Sequence, residues 1–157
     1  IYGRKTCCMR FQAKHGHDRK KYNSDSSVET MKISPIEKQI DKEQIHTYAE
    51  ASGDFNPIHV DEEFGKNSPF GKNIAHGMMI AAAISELMTN AYPQAWAKSG
   101  SMKIKFKAPV YPGDTITTSA EVQKVLEIPD GREIRHIVTI KRQTGEVAIS
   151  GTASVIT

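Results

Sequence analysis

The sequence predicts an α+β fold in which one buried helix packs against a face of an antiparallel sheet. Residues 74–90 are apolar around nearly the whole circumference of a helix, a pattern typical of a buried helix rather than a surface helix. From residue 102 onwards the apolar residues recur with a period of two, and turn sequences separate four such segments. A buried helix followed by a run of strands is the layer arrangement of an α+β domain.

The first 30 residues differ in composition from the rest of the chain. They hold seven basic and three acidic residues, a net charge of +4, so the remaining residues carry −1 of the total of +3. They have no hydrophobic period, and we expect residues 1–30 to form a flexible basic leader, disordered or non-native, before a single domain at residues 31–157. Because the domain itself is nearly neutral, the charge pattern argues against a nucleic-acid partner.

Both cysteines, Cys7 and Cys8, are adjacent within this leader and so do not cross-link the domain. This favours a reducing compartment, and we expect the cytoplasm. The leader lacks the apolar centre of a secretory signal, and the apolar run 78–84 is too short to span a bilayer, so no membrane partner is expected. The two cysteines with His15 and His17 do not have the spacing of a zinc site.

The sequence of the first part of the domain predicts a short extended segment, a surface helix and a bent loop. Residues 33–40 are expected to be extended, with an interruption at Pro35. Asp41 and Gln44 have the spacing of a capping box, and Gly53 is expected to end the helix that they begin. The following loop, residues 53–73, is rich in Gly, Asn and Pro and is expected to include a helical turn at residues 61–65. Tyr92-Pro93 marks the end of the buried helix.

Four strands are predicted in the last third of the chain, at residues 102–110, 116–125, 134–140 and 147–155. The alternation in the second strand slips at Val125. A Pro-Asp-Gly turn at residues 129–131 predicts a hairpin between the second and third strands.

The densest group of unusual residues is the sequence GDFNPIH at residues 53–59. Gly53 adopts backbone angles that other residues avoid, and Pro57 keeps its predecessor out of helical geometry, so the segment is expected to follow a sharply bent path. Such a path brings Asp54 and His59 to one side, where a carboxylate and an imidazole can hold and polarise a water molecule. The alternative is that the aspartate bonds only to local backbone and the histidine is structural.

A second signal is the sequence AHGM at residues 75–78, where the buried helix begins. Helix N-termini present unpaired N–H groups and the positive end of the helix dipole. An N–H group at Gly77 is well suited to hydrogen-bond a thioester carbonyl and to stabilise an enolate-like charge. The alternative is that Gly77 only allows close packing of the helix on the sheet.

Together these motifs resemble the MaoC-like dehydratase family, whose members include the (R)-specific enoyl-CoA hydratases. The resemblance covers residues 33–157 and rests on YAEASGDFNPIH at 48–59 with DEEF at 61–64, IAHGMM at 74–79 and FKAPVYPGD at 106–114, in the family's order. It implies a hotdog fold, in which a curved antiparallel sheet wraps a long central helix.

The resemblance also implies roles for particular residues. Asp54 and His59 match the catalytic pair, and Asn56 matches the asparagine that arranges the loop and the water. Gly77 matches the glycine whose N–H group is the oxyanion donor. Ser85 matches a serine that supports the pair by hydrogen bonding, although a helical serine also bonds to its own helix.

The reaction that the resemblance implies is the reversible syn addition of water to a trans-2-enoyl-CoA, giving the (R)-3-hydroxyacyl-CoA. Asp54 is assigned as the base towards the water, and His59 orients the water and shuttles the proton. No metal or organic cofactor is needed, because the thioester is the electron sink and coenzyme A is part of the substrate. Three alternatives stay open: an (R)-3-hydroxyacyl dehydratase of fatty-acid synthesis acting on acyl carrier protein, a hotdog thioesterase, and a non-catalytic acyl-thioester-binding protein.

Three further expectations concern the surface. The stripe of Lys103, Lys105 and Lys107, with other lysines at positions 66, 72 and 98, is either a solvated face or a contact for the phosphates of coenzyme A. Gly65 stands where the family more often has alanine, and we expect it to loosen the loop. A homodimer or a higher oligomer is expected, because a single hotdog unit leaves sheet edges exposed.

Overall fold

The computed structural model describes residues 6–10 and 33–157, and its main element is a six-stranded antiparallel sheet in the order β1-β3-β6-β5-β4-β2. The strands are β1 (Thr6–Arg10), β2 (Ile36–Gln39), β3 (Ser101–Phe106), β4 (Thr115–Ile128), β5 (Gly131–Arg142) and β6 (Val147–Ile156). The helices are α1 (Lys42–Ser52), α2 (Pro57–Val60), α3 (Glu62–Asn67), α4 (Gly77–Ala91) and α5 (Pro93–Ser99). The predicted α+β class is confirmed.

Helix α4 is the centre of the core, as its sequence predicts. Its buried side chains are Ile80, Ala81, Ala83, Ile84, Leu87 and Met88. They belong to one apolar cluster with the inward side chains of the sheet, which include Ile104, Ile116, Val138, Ile140 and Ile149. Because two of the buried helix residues are alanines, the sheet can approach the helix backbone closely.

Helix α1 begins and ends at the residues that the sequence indicates. The Asp41 carboxylate accepts a hydrogen bond of 2.8 Å from the N–H group of Gln44, and the Gln44 amide oxygen accepts one of 3.1 Å from the N–H group of Asp41. Gly53 closes the helix with a φ of 75°, the left-handed conformation that glycine adopts without strain. The capping box and the glycine therefore set where the following loop starts.

The predicted end of the buried helix at Tyr92-Pro93 is confirmed, since α4 ends at Ala91. Two details of the fold differ from the sequence prediction. A further helix, α5, begins at Pro93, because proline fits the first turn of a helix, where no N–H partner is needed. The irregularity in β4 lies between Val122 and Lys124, where the pairing with β5 shifts register, rather than at Val125.

Part of the expected flexible leader is a strand. Residues 6–10 form β1 and pair with β3, with Cys8 opposite Lys103. This pairing joins backbone groups along the edge of β3, so it does not require the apolar period that the leader lacks. The rest of the leader, including His15 and His17, lies outside the described residues. The boundary at residue 30 stays a prediction.

Within the ranges that the structure describes, no helix has the length and apolar character needed to cross a membrane.

A buried ion pair holds the turn between β3 and β4. The Asp114 carboxylate accepts hydrogen bonds from Arg142 at 2.7 and 3.2 Å, from the Gln143 amide at 2.8 Å and from the N–H group of Tyr111 at 2.8 Å. Burial alone raises the pKa of Asp114, but these donors and the charge of Arg142 outweigh it, so the net pKa of Asp114 lies below its ordinary value. The ionised form therefore stabilises the folded chain.

We predict that Asp114→Asn lowers the free energy of unfolding by about 2–4 kcal/mol at pH 7, because it removes the buried partner of the Arg142 guanidinium and leaves only the exposed Glu146. The loss should shrink below about pH 4, where the unfolded carboxyl is already protonated and the stabilisation disappears as the pH falls through the lower folded-state pKa. Urea unfolding at several pH values measures both effects. Glu146→Gln, which removes the exposed partner of the same arginine, is the matched control and should cost less than about 1 kcal/mol.

Candidate active site

The loop after α1 is bent by local hydrogen bonds from its own side chains. The Asp54 carboxylate accepts a hydrogen bond of 3.2 Å from the N–H group of Asn56. The Asn56 amide oxygen in turn accepts one of 3.2 Å from Ile58 and caps the short helix α2, whose first residue is Pro57. The loop-arranging part of the role expected for Asn56 is therefore seen directly, and its contact with a water stays a prediction.

A second asparagine attaches this loop to the segment before α4. The Asn73 amide donates to the carbonyl groups of Ile58 at 3.0 Å and Asp61 at 2.7 Å. The N–H group of Ile74 donates to the carbonyl of Ile58 at 3.2 Å. Asn73 was not predicted from the sequence, because its partners lie 12 and 15 residues before it.

Gly65 is required by close packing, so the expectation that it loosens the loop is wrong. A Cβ atom at Gly65 would lie 2.6 Å from the backbone nitrogen of Asn73, nearer than non-bonded atoms approach. Gly65 is buried, and its hydrogen atom allows α3 to lie against residues 72–73. The glycine thus tightens the contact that holds the loop.

Asp54 and His59 are brought together by this arrangement. A carboxylate oxygen of Asp54 and one ring nitrogen each of His59 and His76 all lie within 4.8 Å of one another. His59 is half-buried and Asp54 is exposed. The Nδ1 atom of His59 lies 2.8 Å from the carbonyl oxygen of Ile74, and since a carbonyl only accepts, Nδ1 carries the hydrogen. In the neutral ring, Nε2 is left as an acceptor.

The pKa of His59 lies below the ordinary 6.5 of histidine. Burial is the largest cause and disfavours the charged ring. The bond to the Ile74 carbonyl and the charge of Asp54 act in the opposite direction, and His76 lowers the pKa further. His59 is therefore predominantly neutral at pH 7, with a free lone pair on Nε2.

His76 is the site residue that the sequence analysis did not identify. It is 2% exposed, and its Nε2 atom donates a hydrogen bond of 2.8 Å to the backbone carbonyl of Asp54. Its ring stacks on His59 with the centroids 3.9 Å apart, and the Tyr48 ring lies 4.8 Å from it on another side. The signal in the sequence is that His76 is the only polar side chain in the apolar run 74–84.

An aspartate with two histidines is also a donor set that binds transition metals. Here the planes of His59 and His76 are only 28° apart and the rings are stacked. The in-plane lone pairs of stacked rings do not converge on one ion, so the geometry suits the handling of a water molecule better than the binding of a metal.

Gly77 is the first residue of α4, and its N–H group is not used by the helix. The first intrahelical bond is the one from Ile80 to the carbonyl of His76, at 3.2 Å. The His76 side chain does not cap the helix, so the N–H groups of the first turn remain available. The packing alternative is also present, because a Cβ atom at Gly77 would lie 2.9 Å from the Phe106 ring. The oxyanion role of Gly77 stays a prediction.

Among the described residues, the hydrogen-bond partner of Ser85 lies in α5 rather than in the Asp54/His59 pair. Ser85 lies eight residues beyond Gly77 in α4, which corresponds to about 12 Å along a helix. Its hydroxyl accepts a hydrogen bond of 2.9 Å from the indole N–H group of Trp96. Within residues 33–157, no hydrogen bond joins Ser85 to the pair. Ser85 thus joins α4 to α5, and the support that it is expected to give the pair stays a prediction.

A groove of about 440 Å³ lies beside α1 and adjoins the site through Tyr48, whose ring contacts His76. Ala51 and Met79 line it with Tyr48, and Asp41, Glu43, Gln44 and Thr47 complete its wall.

The lysine stripe lies on the outer face of the sheet. Lys103 and Lys105 are exposed, whereas Met102 and Ile104, which point to the opposite face, are buried. Lys107 is exposed just beyond the end of β3. Lys72 lies over the Tyr111 ring, 4.3 Å from its centroid. Both interpretations of the stripe, a solvated face and a phosphate contact, stay predictions.

A sequence model of the MaoC-like domain matches residues 23–146 of this chain. The chain belongs to the MaoC-like domain family. It is 36% identical over 120 residues to 3-hydroxybutyryl-CoA dehydratase of Methylorubrum extorquens, covering 76% of this chain and 74% of that protein. It is 31% identical over 133 residues to (R)-specific enoyl-CoA hydratase of Aeromonas caviae, covering 84% and 97%.

Among solved structures, the (R)-hydratase from A. caviae involved in PHA biosynthesis has a similar fold. It superposes with a TM-score of 0.71 at 29% identity, over 84% of this chain and 98% of that one. The resemblance to MaoC-like dehydratases and the expected hotdog fold are both confirmed by these similarities.

We predict that the neutral His59 ring is the Nδ1–H form and that its pKa is below 6.5, because Ile74 holds the hydrogen and burial disfavours the charge. Nitrogen-15 NMR of the two ring nitrogens across a pH titration measures both properties, and His59→Gln identifies the signals. A ring that is Nε2–H at pH 7 would contradict the geometry, since its free lone pair would then face Ile74.

Proposed function

We propose that this protein is a hydro-lyase, an (R)-specific enoyl-CoA hydratase that adds water reversibly to trans-2-enoyl-CoA and gives (R)-3-hydroxyacyl-CoA. The observation that carries the proposal is the meeting of the Asp54 carboxylate and the His59 imidazole beside the first turn of a buried helix. Its relatives named as hydratase and dehydratase support the same reaction class.

In the proposed mechanism, the water molecule lies between Asp54 and His59. Asp54 takes a proton as the water oxygen forms its bond to C3 of the enoyl group. His59, with Nδ1 held by Ile74, orients the water through the acceptor Nε2 and shuttles the proton. The π electrons of the double bond move onto the thioester carbonyl, and C2 then takes a proton from the same pair, so no proton is gained or lost overall. A single pair on one face accounts for syn addition.

The charge that develops on the thioester oxygen would be stabilised at the start of α4. The N–H group of Gly77 is free of helical partners there, and the positive end of the helix dipole points the same way. The thioester is the electron sink, so the reaction calls for no metal or organic cofactor, and coenzyme A belongs to the substrate.

The acyl chain is proposed to enter the groove lined by Tyr48, Ala51 and Met79, which adjoins the pair. We expect a homodimer or a higher oligomer, acting in the cytoplasm. Two observations support association: Phe55 and Phe64, near the pair in sequence, are 57% and 51% exposed, and β1 and β2 each have one unpaired edge within the described sheet. Light scattering at micromolar concentration tests the oligomeric state, and an active monomer would contradict it.

We predict that Asp54→Asn or His59→Ala lowers kcat on crotonyl-CoA by about 10²–10⁴-fold, equivalent to about 3–5 kcal/mol of barrier, while the fold survives. Loss of the conjugated-thioester absorbance measures the rate, and chiral analysis of the product tests for the (R) alcohol. Asp130→Asn, the same change in the exposed hairpin between β4 and β5, is the matched control and should keep full activity.

Retention of most activity by either folded variant would overturn the assignment of the pair. Parallel assays with crotonyl thioesters of coenzyme A and of acyl carrier protein separate the hydratase from the dehydratase of fatty-acid synthesis. Binding of crotonyl-CoA without turnover would favour a non-catalytic acyl-thioester-binding protein. Release of free coenzyme A without hydration would indicate a thioesterase.

A further inference from the structure

We propose that His76 is a positioning residue that holds both members of the pair, Asp54 through its backbone and His59 through its ring. This inference rests on the proposed hydratase function. It follows from three observations: where the His76 hydrogen bond goes, what its ring contacts, and what its side chain does not do at the start of α4.

The first observation concerns Asp54, which is exposed and whose other hydrogen bonds join it to residues only two positions away. Its carboxylate accepts from Asn56 and its N–H group donates to the Ser52 hydroxyl at 3.3 Å. The bond of 2.8 Å from His76 to the Asp54 carbonyl is shorter than either and comes from a residue in the buried interior. It therefore fixes the backbone from which the carboxylate projects.

The second observation concerns the His59 ring. One edge of that ring is held by the Ile74 carbonyl and one face is covered by the stacked ring of His76. Tyr48 contacts His76 from α1, so the supporting ring is itself held. Together the edge and face contacts restrict rotation of the imidazole that we expect to orient the water.

The third observation concerns what the His76 side chain does at the start of α4. Asp41, Asn56 and Asp61 each cap their own helix, α1, α2 and α3, with a side-chain oxygen. His76 occupies the corresponding position of α4 and makes no such bond, and neither does Tyr92 at the start of α5. The His76 side chain turns to the Asp54 loop instead, which also leaves the N–H groups of the α4 first turn free for a ligand.

The other ring nitrogen of His76 argues against a purely structural role. Nδ1 is buried and has no hydrogen-bond partner among the described residues. A buried nitrogen without a partner lowers stability, so an apolar ring would suit this position better if packing were its only purpose. His76→Phe should therefore remain folded even where its activity is lowered.

The experiment compares two complementary variants of the full-length protein on crotonyl-CoA. His76→Phe keeps a flat ring against His59 and removes the donor to Asp54, whereas His76→Gln keeps a donor and removes the ring. Because small misplacements of catalytic groups cost up to about 100-fold in rate, we expect His76→Phe to lower kcat by about 10–100-fold with KM changed less than about threefold. We expect His76→Gln to recover part of that kcat.

The pH profile separates positioning from stability. His76 contributes to lowering the pKa of His59, so both variants should move the acid limb of kcat/KM to higher pH. The other titratable groups around His59 stay in place in both variants: Asp54 in the same loop, Tyr48 and His46 with Lys42 from α1, and Glu62 from α3. The matched control is His136→Phe, which removes a buried histidine bonded to Tyr92 at the opposite end of α4 and should leave the acid limb unmoved.

Coupling to Asp54 is tested in a double variant. If His76 acts through Asp54, then His76→Phe should cost little further activity in an Asp54→Asn background. Fully additive losses, an unmoved acid limb, or activity that falls only in proportion to folded protein would overturn the proposal.

A wild-type protein without hydratase activity would contradict the proposed function instead. In that case the NMR titration of His59 still tests the inference. In His76→Gln the His59 pKa should rise towards 6.5, and an unchanged value would show that His76 does not set the environment of that ring.

Discussion

The attachment of the bent loop to the segment before α4 is the constraint on which the rest of the site depends. The loop on its own is short, polar and largely exposed, and its internal hydrogen bonds decide its shape but not its place. Its position is set by hydrogen bonds to residues 73–76. The Asn73 amide donates to the carbonyl groups of Ile58 and Asp61. His59 donates to the Ile74 carbonyl, and His76 donates to the Asp54 carbonyl. Each of these contacts joins a loop group to a segment that the core holds.

Residues 73–76 are held in place because they are bonded to two well-packed parts of the fold, α4 and the segment at Val110. Helix α4, which follows them, is buried in the apolar cluster, and the N–H group of Ala75 donates to the carbonyl of Val110 at 2.7 Å. Val110 leads into the turn that Asp114 and Arg142 hold. A carboxylate and an imidazole on a surface loop are thereby held with the precision of the core, which water addition in a defined orientation requires.

Much of this arrangement could be predicted from sequence because its signals are local. The apolar circumference of α4, the Asp41 capping box and the alternation of the strands are each visible within a window of one element. Asp54 and His59 stand out for the same reason, since a glycine and a proline close to them in sequence force the bend between them.

The rest depends on partners distant in sequence. His76 bonds to a carbonyl 22 residues earlier, and nothing near it in sequence reveals that bond. Trp96 belongs to a helix that was not predicted, so its hydrogen bond to Ser85 could not be predicted either. Glycine is required at position 65 because residues 72–73 pack closely against it. Strand β1 forms because it pairs with the edge of β3. Neither contact leaves a periodic signal in the sequence.

The most direct test of the proposed site is a crystal structure of the Asp54→Asn variant with (R)-3-hydroxybutyryl-CoA. We expect the 3-hydroxyl group to lie within hydrogen-bonding distance of both the residue 54 side chain and Nε2 of His59, and the thioester oxygen to lie against the N–H group of Gly77. A ligand bound with its 3-hydroxyl group away from this pair, or with its thioester away from the start of α4, would contradict it.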